Sequence, residues 1–524
     1  MTLRRYHAAV WDEPLVMELG SSGRRGVVFG EPEPGIASVV GDAEALVPAA
    51  ARRTARAALP ELSEPEVLRH YIHLSQETLG MMGVSLFGTC TMKYNPRLAT
   101  ELAARPEIAE LHPDQDDETL QGALALTHGL DLILRGVSGM DAFVFQPGGG
   151  AHAAYTHAAI TRAYHAARGE LDRRDEIVTT IQAHPCNAAT AGAAGFKVVT
   201  LALEENGYPS LDALKAAVSD RTASLMVGNP DDMGIYNPEI EKWVEVVHDA
   251  GGLCFYDHAN FNGVMGKIKA RELGFDACMY MLHKTFGAPK GGGGPAVGAY
   301  GCTAELAPFL PEPVVVRDGD RYRLDRDRPS SIGKVREFWG NLPQLVYAYT
   351  WSRAMGADGI QKASDISVLA NNYMEKRLLE IHGVTKSQPQ VTAPRLEMTR
   401  YSLETMERET GITVVDVQNR MVDFGIDAFW LSHEPWLVPQ PFTPEAGEMW
   451  SKEDIDEWID VLAHVVGEAY SDPELVRTAP HNQAIRRLGA TDLDDPALWA
   501  TTWRAHVRKR RERDLVAGPA GAPT

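Results

Sequence analysis

Three features of the 524-residue sequence predict an α/β fold, a large domain built on a mostly parallel sheet, with a smaller C-terminal α+β domain behind it. Short apolar runs alternate with helical patterns from about residue 140 to 300. Charged or polar residues stand at the C-terminal ends of those runs. Beyond about residue 345 the pattern changes to long helices followed by short strand candidates. Strands that alternate with helices form parallel sheets, and such sheets bind ligands beyond the carboxyl ends of their strands.

The elements follow in order. Ala142 to Phe145 (AFVF) is an apolar run that stops at Gln146-Pro147, after which GGGA opens AHAAYTHAAITRAYHAARG, a segment dense in helix formers. A glycine loop between a strand and a helix start is a natural seat for an anion. Pro238 marks another helix start, and Ile240, Trp243, Val244 and Val247 recur at helical spacing. Gly251-Gly252 end that helix, Leu253 to Tyr256 reads as a buried strand, and Asp257 stands at its end. Ala277 to Leu282 (ACMYML) is a further strand, ending on His283-Lys284. The stretch LVYAYTWSRAMGADGIQKASDISVLANNYMEKRLLEI reads as long helices. TRYSLETM, GITVVDV and DAFWLS follow as strand candidates, and SKEDIDEWIDVLAHVVGEAY as a closing helix with Ser451 and Asp454 as its capping box. The expected domains are an arm or linker over 1–70, a large α/β domain over 71–340, a smaller α+β domain over 341–490 and a basic tail over 491–524.

Composition narrows the function. Hydrophobic residues make up 44% and charged residues 23%, the balance of a soluble globular protein. No apolar run reaches the roughly 18 residues that span a bilayer, and Asp12 and Glu13 interrupt the N-terminus before a signal-peptide core can form. A cytoplasmic protein with no membrane contact is expected. The net charge of −20 disfavours nucleic acid. RAHVRKRRERD, Arg504 to Asp514, is the basic exception, read as a solvated helix face or as a grip on an acidic partner. The five cysteines are odd in number and contain no CxxC pair, so neither a disulfide framework nor a metal site is expected.

A lysine at a strand end is either a solvated cap or a buried nucleophile that forms an imine. Pyridoxal phosphate needs such a lysine, a carboxylate for its ring nitrogen, an anion seat for its phosphate and a flat group over its ring. The sequence offers each in order. Gly148, Gly149, Gly150 and Ala151 form the phosphate seat, His184 the stacking group, and Asn229 an amide for the phenolic oxygen. Asp257 pairs with the ring nitrogen, and Lys284 follows 27 residues later as the attachment point.

These residues lie in motifs that resemble subunit 2 of bacterial glycine decarboxylase, the P-protein of the glycine cleavage system. The motifs are GTCTMKYNP (Gly88 to Pro96), QPGGGAH (Gln146 to His152), AGFKVV (Ala194 to Val199), DHANFN (Asp257 to Asn262), HKTFGAPKGGGGP (His283 to Pro295), SIGKVREFWGN (Ser331 to Asn341) and APHNQAIRRL (Ala479 to Leu488). The resemblance runs from about residue 11 to 488. It implies a fold-type I pyridoxal-phosphate enzyme in which Lys284 forms the Schiff base, His283 precedes it, Asp257 holds the ring nitrogen, and Lys93, Tyr94 and Asn95 lie near the substrate. It further implies an amino-acid substrate, a subunit 1 partner, a lipoyl carrier protein and association into at least a pair of chains.

The sequence departs from the family pattern around the pocket. HPCNAATA stands where relatives have HGTNPASA, and QPGGGAHAA where they have QPAAGAHGE. DHAN replaces DGAN, Lys290 precedes the glycine run, and VPQPFTPEAGEMW replaces a different late loop. His152, His258 and Lys290 are therefore candidate substrate contacts. Three readings stand: a glycine decarboxylase; a repurposed relative that uses the same Cα chemistry on another substrate in biosynthesis; and, in a different class, an inactive scaffold subunit.

Overall fold

A computed structural model of the protein describes residues 3–27, 29–55, 57, 59–79, 84–86, 95–289, 296–426, 431–433, 435–485, 487 and 502–517. The chain divides into two compact units. One comprises Met1–Leu3, Val84–Met421 and Ile426–Arg477, the other Arg4–Gly83, Val422–Gly425 and Thr478–Thr524.

The larger unit is organised on a seven-stranded sheet. Its strands are β1 (Ala142–Val144), β2 (Glu176–Thr180), β3 (Lys197–Leu201), β4 (Thr222–Gly228), β5 (Leu253–His258), β6 (Ala277–Met281) and β7 (Gly298–Cys302). They lie in the order β1-β7-β6-β5-β4-β2-β3, and β7 alone runs antiparallel to its neighbours. The mostly parallel sheet expected from the alternating pattern is present, with β1, β5 and β6 where the apolar runs place them.

Both faces of the sheet are buried, and the period-2 alternation of strands sorts their residues. Cys254, Tyr256, Cys278 and Tyr280 face one core, which contains Leu124, Leu130 and Leu134 of the helix Gln121–Ser138, Trp243 of the helix Ile240–Asp249, and Trp351. Phe255, Ala277, Met279 and Met281 face the other, which contains Ala153, Ala154, Ala158 and Ile160 of the helix Gly150–Ala167 and Cys186 and Ala191 of the helix Cys186–Ala193. Alanines at three of those four positions let the helix Gly150–Ala167 lie close to the sheet, which brings its N-terminus over the strand ends.

Leu342–Leu378 consists of two helices that meet at Gly356, whose φ of +63° only glycine adopts readily. Beyond them a small antiparallel sheet joins Thr385–Lys386, Tyr401–Ser402 and Pro441–Phe442. Ser451 caps the closing helix Lys452–Ser471 in a reciprocal box with Asp454, as expected. Two strand expectations change. TRYSLETM holds only the two-residue strand Tyr401–Ser402 before turning into the helix Glu404–Thr410, and GITVVDV opens the helix Val414–Met421. The physical reason for the second is a Thr-x-x-Asp cap. Thr413 Oγ1 accepts the Asp416 N–H at 3.2 Å, and Asp416 accepts the Thr413 N–H at 2.8 Å. Val414, Val417 and Met421 then fall on one buried face, which outweighs the β propensity of the valines. Most of DAFWLS lies outside the described residues.

In the smaller unit the helix Glu64–Gln76 is capped by Ser63 and Glu66. Glu13 holds it through His70 Nδ1 at 2.5 Å and His73 Nδ1 at 2.7 Å, and Trp11 stacks on His73 with ring centroids 4.2 Å apart. RAHVRKRRERD lies in the helix Trp503–Ala517. No helix among the described residues is long and apolar enough to cross a membrane.

Candidate active site

The carboxyl ends of β4, β5 and β6 enclose one cavity, lined among others by His184, Asp231, Asp232, Asp257, Asn260 and Lys284. Lys284 reaches it from the turn after β6, its N–H donating to the Met281 carbonyl at 2.9 Å. The residue is 8% exposed, and its amine makes no hydrogen bond or ion pair with a described residue. A buried amine with no partner is costly unless a ligand engages it. The side chain is buried and lines the cavity, which favours the ligand-binding reading over that of a cap on the outer surface.

Asp257 occupies the end of β5 on the same side. The Asn187 amide donates to its Oδ2 at 3.2 Å, and the Ala259 N–H to its Oδ1 at 3.0 Å. Burial pushes its carboxyl pKa up, while the neighbouring His184, the Ala259 N–H and Lys284 pull it down. A cation brought against it completes the pairing that burial otherwise penalises. His184, at the turn before the helix Cys186–Ala193, accepts the Cys186 N–H on Nδ1 at 3.1 Å, so its Nε2 carries the proton in the neutral ring. Its ring stands edge-on to His433, with centroids 5.0 Å apart. Asp231 is held in a tight turn by the N–H groups of Met233 and Ile235, and burial raises its carboxyl pKa to about 6.

The glycine turn sits at the start of the helix Gly150–Ala167, with Gly149 as its cap. A Cβ on Gly150 would lie 3.4 Å from the sulfur of Met281, three residues before Lys284, and one on Gly149 would meet nothing within 4 Å. That turn therefore presents open space at a helix start beside the carboxyl end of β6, from which Lys284 follows. A Cβ on Gly148 would lie 2.8 Å from Nη1 of Arg336, which places a guanidinium beside the turn. Arg336 lies within SIGKVREFWGN, and sequence reasoning assigned it no chemistry. The signal was a motif arginine whose adjacent acid, Glu337, is exposed and pairs with its Nε only at 4.0 Å. Ala151 falls in the first helical turn.

Other expectations change. His258 is 1% exposed and packs among aromatic rings, 3.5 Å from the Tyr256 centroid and 5.0 Å from that of Phe261, on the face opposite Asp257. It is a core residue and no substrate contact, because adjacent residues of a strand point to opposite faces. The Asn229 amide is engaged in part, with one of its two Nδ2 hydrogens left for a ligand. Its Nδ2 donates to the Asn237 carbonyl at 3.2 Å, and its Oδ1 accepts the Asn237 N–H at 2.7 Å, an arrangement that closes the loop after β4. His152 accepts the Gly148 N–H on Nδ1 at 3.1 Å, so it braces the glycine turn and does not line the Lys284 cavity. His283 sits half-buried in the turn after β6, and Asn95 precedes the helix Arg97–Ala103, away from the cavity lining. Lys93, Tyr94 and Lys290 lie outside the described residues. Sequence reasoning also missed Glu397 and Glu445, both fully buried, which each accept from the Asn260 amide at 3.2 Å. They come from the far end of the chain, where no local pattern points back to Asn260.

Comparison with known proteins agrees with this geometry. Residues 149–306, from the glycine turn to just past β7, match the Aminotransferase class-V family. The chain is 42% identical over 486 residues to the probable glycine dehydrogenase (decarboxylating) subunit 2 of Pyrococcus abyssi, covering 92% of this chain and 94% of that protein. It is 43% identical over 518 residues to the protein of the same name from Thermococcus onnurineus, covering 98% and 99%. The chain belongs to the glycine dehydrogenase (decarboxylating) subunit 2 family. In fold it matches a crystal structure of glycine decarboxylase (P-protein) of the glycine cleavage system in inhibitor-bound form, with a TM-score of 0.71 at 20% identity, covering 84% of this chain and all of that one.

This member of the subunit 2 family is a pyridoxal-phosphate enzyme of the class-V aminotransferase fold. The unpartnered amine of Lys284, the buried carboxylate of Asp257 and the open glycine turn are what that cofactor requires. The inactive-scaffold reading falls with that assignment.

Proposed function

We propose that this chain decarboxylates glycine and passes the remaining aminomethyl group to a lipoyl group on a carrier protein, as one subunit of a larger assembly. The observation that carries the reading is the buried, unpartnered amine of Lys284 in one cavity with Asp257, set in a chain 42% identical along nearly its whole length to glycine dehydrogenase (decarboxylating) subunit 2.

Pyridoxal phosphate supplies, when bound, an aldehyde for covalent attachment and a cationic ring that takes up an electron pair from the substrate's Cα. Lys284 holds the aldehyde carbon in the resting enzyme. Once released by substrate its amine would be free to carry a proton to the departing lipoyl sulfur and to reclaim the cofactor when product leaves. Asp257 keeps the ring nitrogen protonated, and Asn187 and the Ala259 N–H fix the carboxylate for that task. Gly149, Gly150 and Ala151 bind the phosphate with their N–H groups, assisted by Arg336. His184 covers the ring. The family placement of Lys93 and Tyr94 near substrate extends to this chain as part of the same reading.

The proposed partners are a subunit 1 and further copies of the complex. Support comes from the smaller unit, where Val10, Phe29, Ile36, Val39, Val40 and Leu59 are exposed apolar side chains of one arm. Burial of such side chains is a gain that association with a partner chain supplies. The proposed location is the cytoplasm, supported by Cys186, Cys254, Cys278 and Cys302, which are all free thiols.

The test is exchange of label between the carboxyl group of glycine and bicarbonate, with subunit 1 and a lipoylated carrier present. Exchange that needs all three components bears the proposal out. A cofactor-loaded protein that catalyses no exchange in their presence rejects it and leaves the repurposed reading.

A further inference from the structure

The wall of the Lys284 cavity is acidic. Asp231, Asp232, Asp257 and Glu397 contribute to it, and among its described lining residues there is no arginine. Asp257 is committed to the cofactor's ring nitrogen and Asp231 to its turn. Glu397 is held by Asn260, with its second oxygen against Gly263, where a Cβ would come within 1.9 Å. Asp232 is different. Its Oδ2 is buried and accepts no hydrogen bond from a described residue, and its neighbour Arg400 donates to its backbone carbonyl at 3.1 Å. Lys284 is the one lysine among the described residues of this wall, and its amine is engaged by the cofactor in the resting enzyme and displaced when the substrate amine takes its place.

A site that holds an amino acid by its carboxylate presents a guanidinium to it. This wall does the reverse. We propose that Asp232, reinforced by Glu397, is a specificity-determining residue that repels the substrate's carboxylate, so that glycine binds with its carboxylate at raised energy and loses it readily. This inference rests on the glycine reading above. In the step concerned, the bond between Cα and the carboxyl carbon breaks, its electron pair stays on the Cα side, and the carboxylate leaves as neutral CO₂. The repulsion present in the bound state is absent once CO₂ has formed. Like charges in a desolvated cavity interact strongly enough for the effect to be measured. The same wall rejects amino acids that carry a second carboxylate.

The test uses the cofactor-loaded protein and two probes, glycine and methylamine, which differ by the carboxylate alone. Equilibrium binding of each is read from the change in cofactor absorbance, and release of labelled CO₂ from glycine in a single turnover with subunit 1 present. In D232N we expect glycine to bind about tenfold tighter and methylamine unchanged, with CO₂ release from bound glycine about tenfold slower. E397Q, with the same shape and no charge, is expected to shift both readouts in the same direction. If both variants change glycine and methylamine binding alike, or leave CO₂ release at the parental rate, the inference is overturned while the glycine reading stands. If the parent protein exchanges no label between glycine and bicarbonate, both are overturned together.

Discussion

Asp257 and His258 are neighbours on β5 and point to opposite faces of the sheet, Asp257 into the Lys284 cavity and His258 into the aromatic core of Tyr256, Phe261 and Tyr280. Burial lowers the His258 pKa to about 3, and neither ring nitrogen has a hydrogen-bond partner among the described residues. The unfolded chain binds a proton at this position below about pH 6.5 and the folded chain only near pH 3. The stability that the neutral ring contributes is complete above pH 6.5 and is lost as the pH falls through that window, on the order of 4 kcal/mol by pH 3. H258F replaces the ring without leaving a buried polar atom. Its acid-unfolding midpoint, followed by circular dichroism, is expected to move to lower pH, with glycine binding unchanged. Loss of glycine binding in a folded H258F protein would return the residue to the substrate site.

Asp257 is the group through which the cavity keeps a cation at the ring nitrogen. D257N preserves the shape and the Ala259 and Asn187 neighbours while removing the charge. Decarboxylation is expected to fall by about 10²–10³, as for other removals of a fixed electrostatic stabiliser, with attachment of the cofactor at Lys284 retained. Rate and borohydride labelling measured on one preparation distinguish this from simple loss of the cofactor.

Arg336 stands beside Gly148 at the glycine turn, and its Nη1 donates to the Ala296 carbonyl at 3.2 Å. A charge-assisted contact to phosphate contributes about 1.5–3 kcal/mol, so R336Q is expected to weaken pyridoxal-phosphate binding by at least about tenfold. Titration of the apoprotein with pyridoxal phosphate measures this. Pyridoxal without its phosphate is expected to bind parent and variant alike.

Much of this site was legible in the sequence because it is local. Asp257 and Lys284 each close an apolar run, and the glycine turn joins a strand to a helix, so periodicity alone places them beyond the carboxyl ends of parallel strands. His258 misled because a polar residue next to a site residue resembles a second site residue. The period of two along β5 puts it on the far face, and applying that period at the strand end would have shown it. The pairing of Asn229 with Asn237 was invisible because it spans a loop that folds back only in three dimensions. Glu397 and Glu445 were invisible for the same reason at longer range, since they meet Asn260 from more than a hundred residues away. The helix at Val414–Met421 was misread because the pair of valines drew attention from the Thr413–Asp416 cap.

The central claim is a covalent attachment at one amine, and it is tested most directly by borohydride reduction of the protein loaded with pyridoxal phosphate, followed by peptide mapping. The account predicts a single phosphopyridoxyl-lysine at Lys284, absent from K284A, in which the absorbance of the bound cofactor also disappears. A label on another lysine, or on none while the cofactor remains bound, would contradict it.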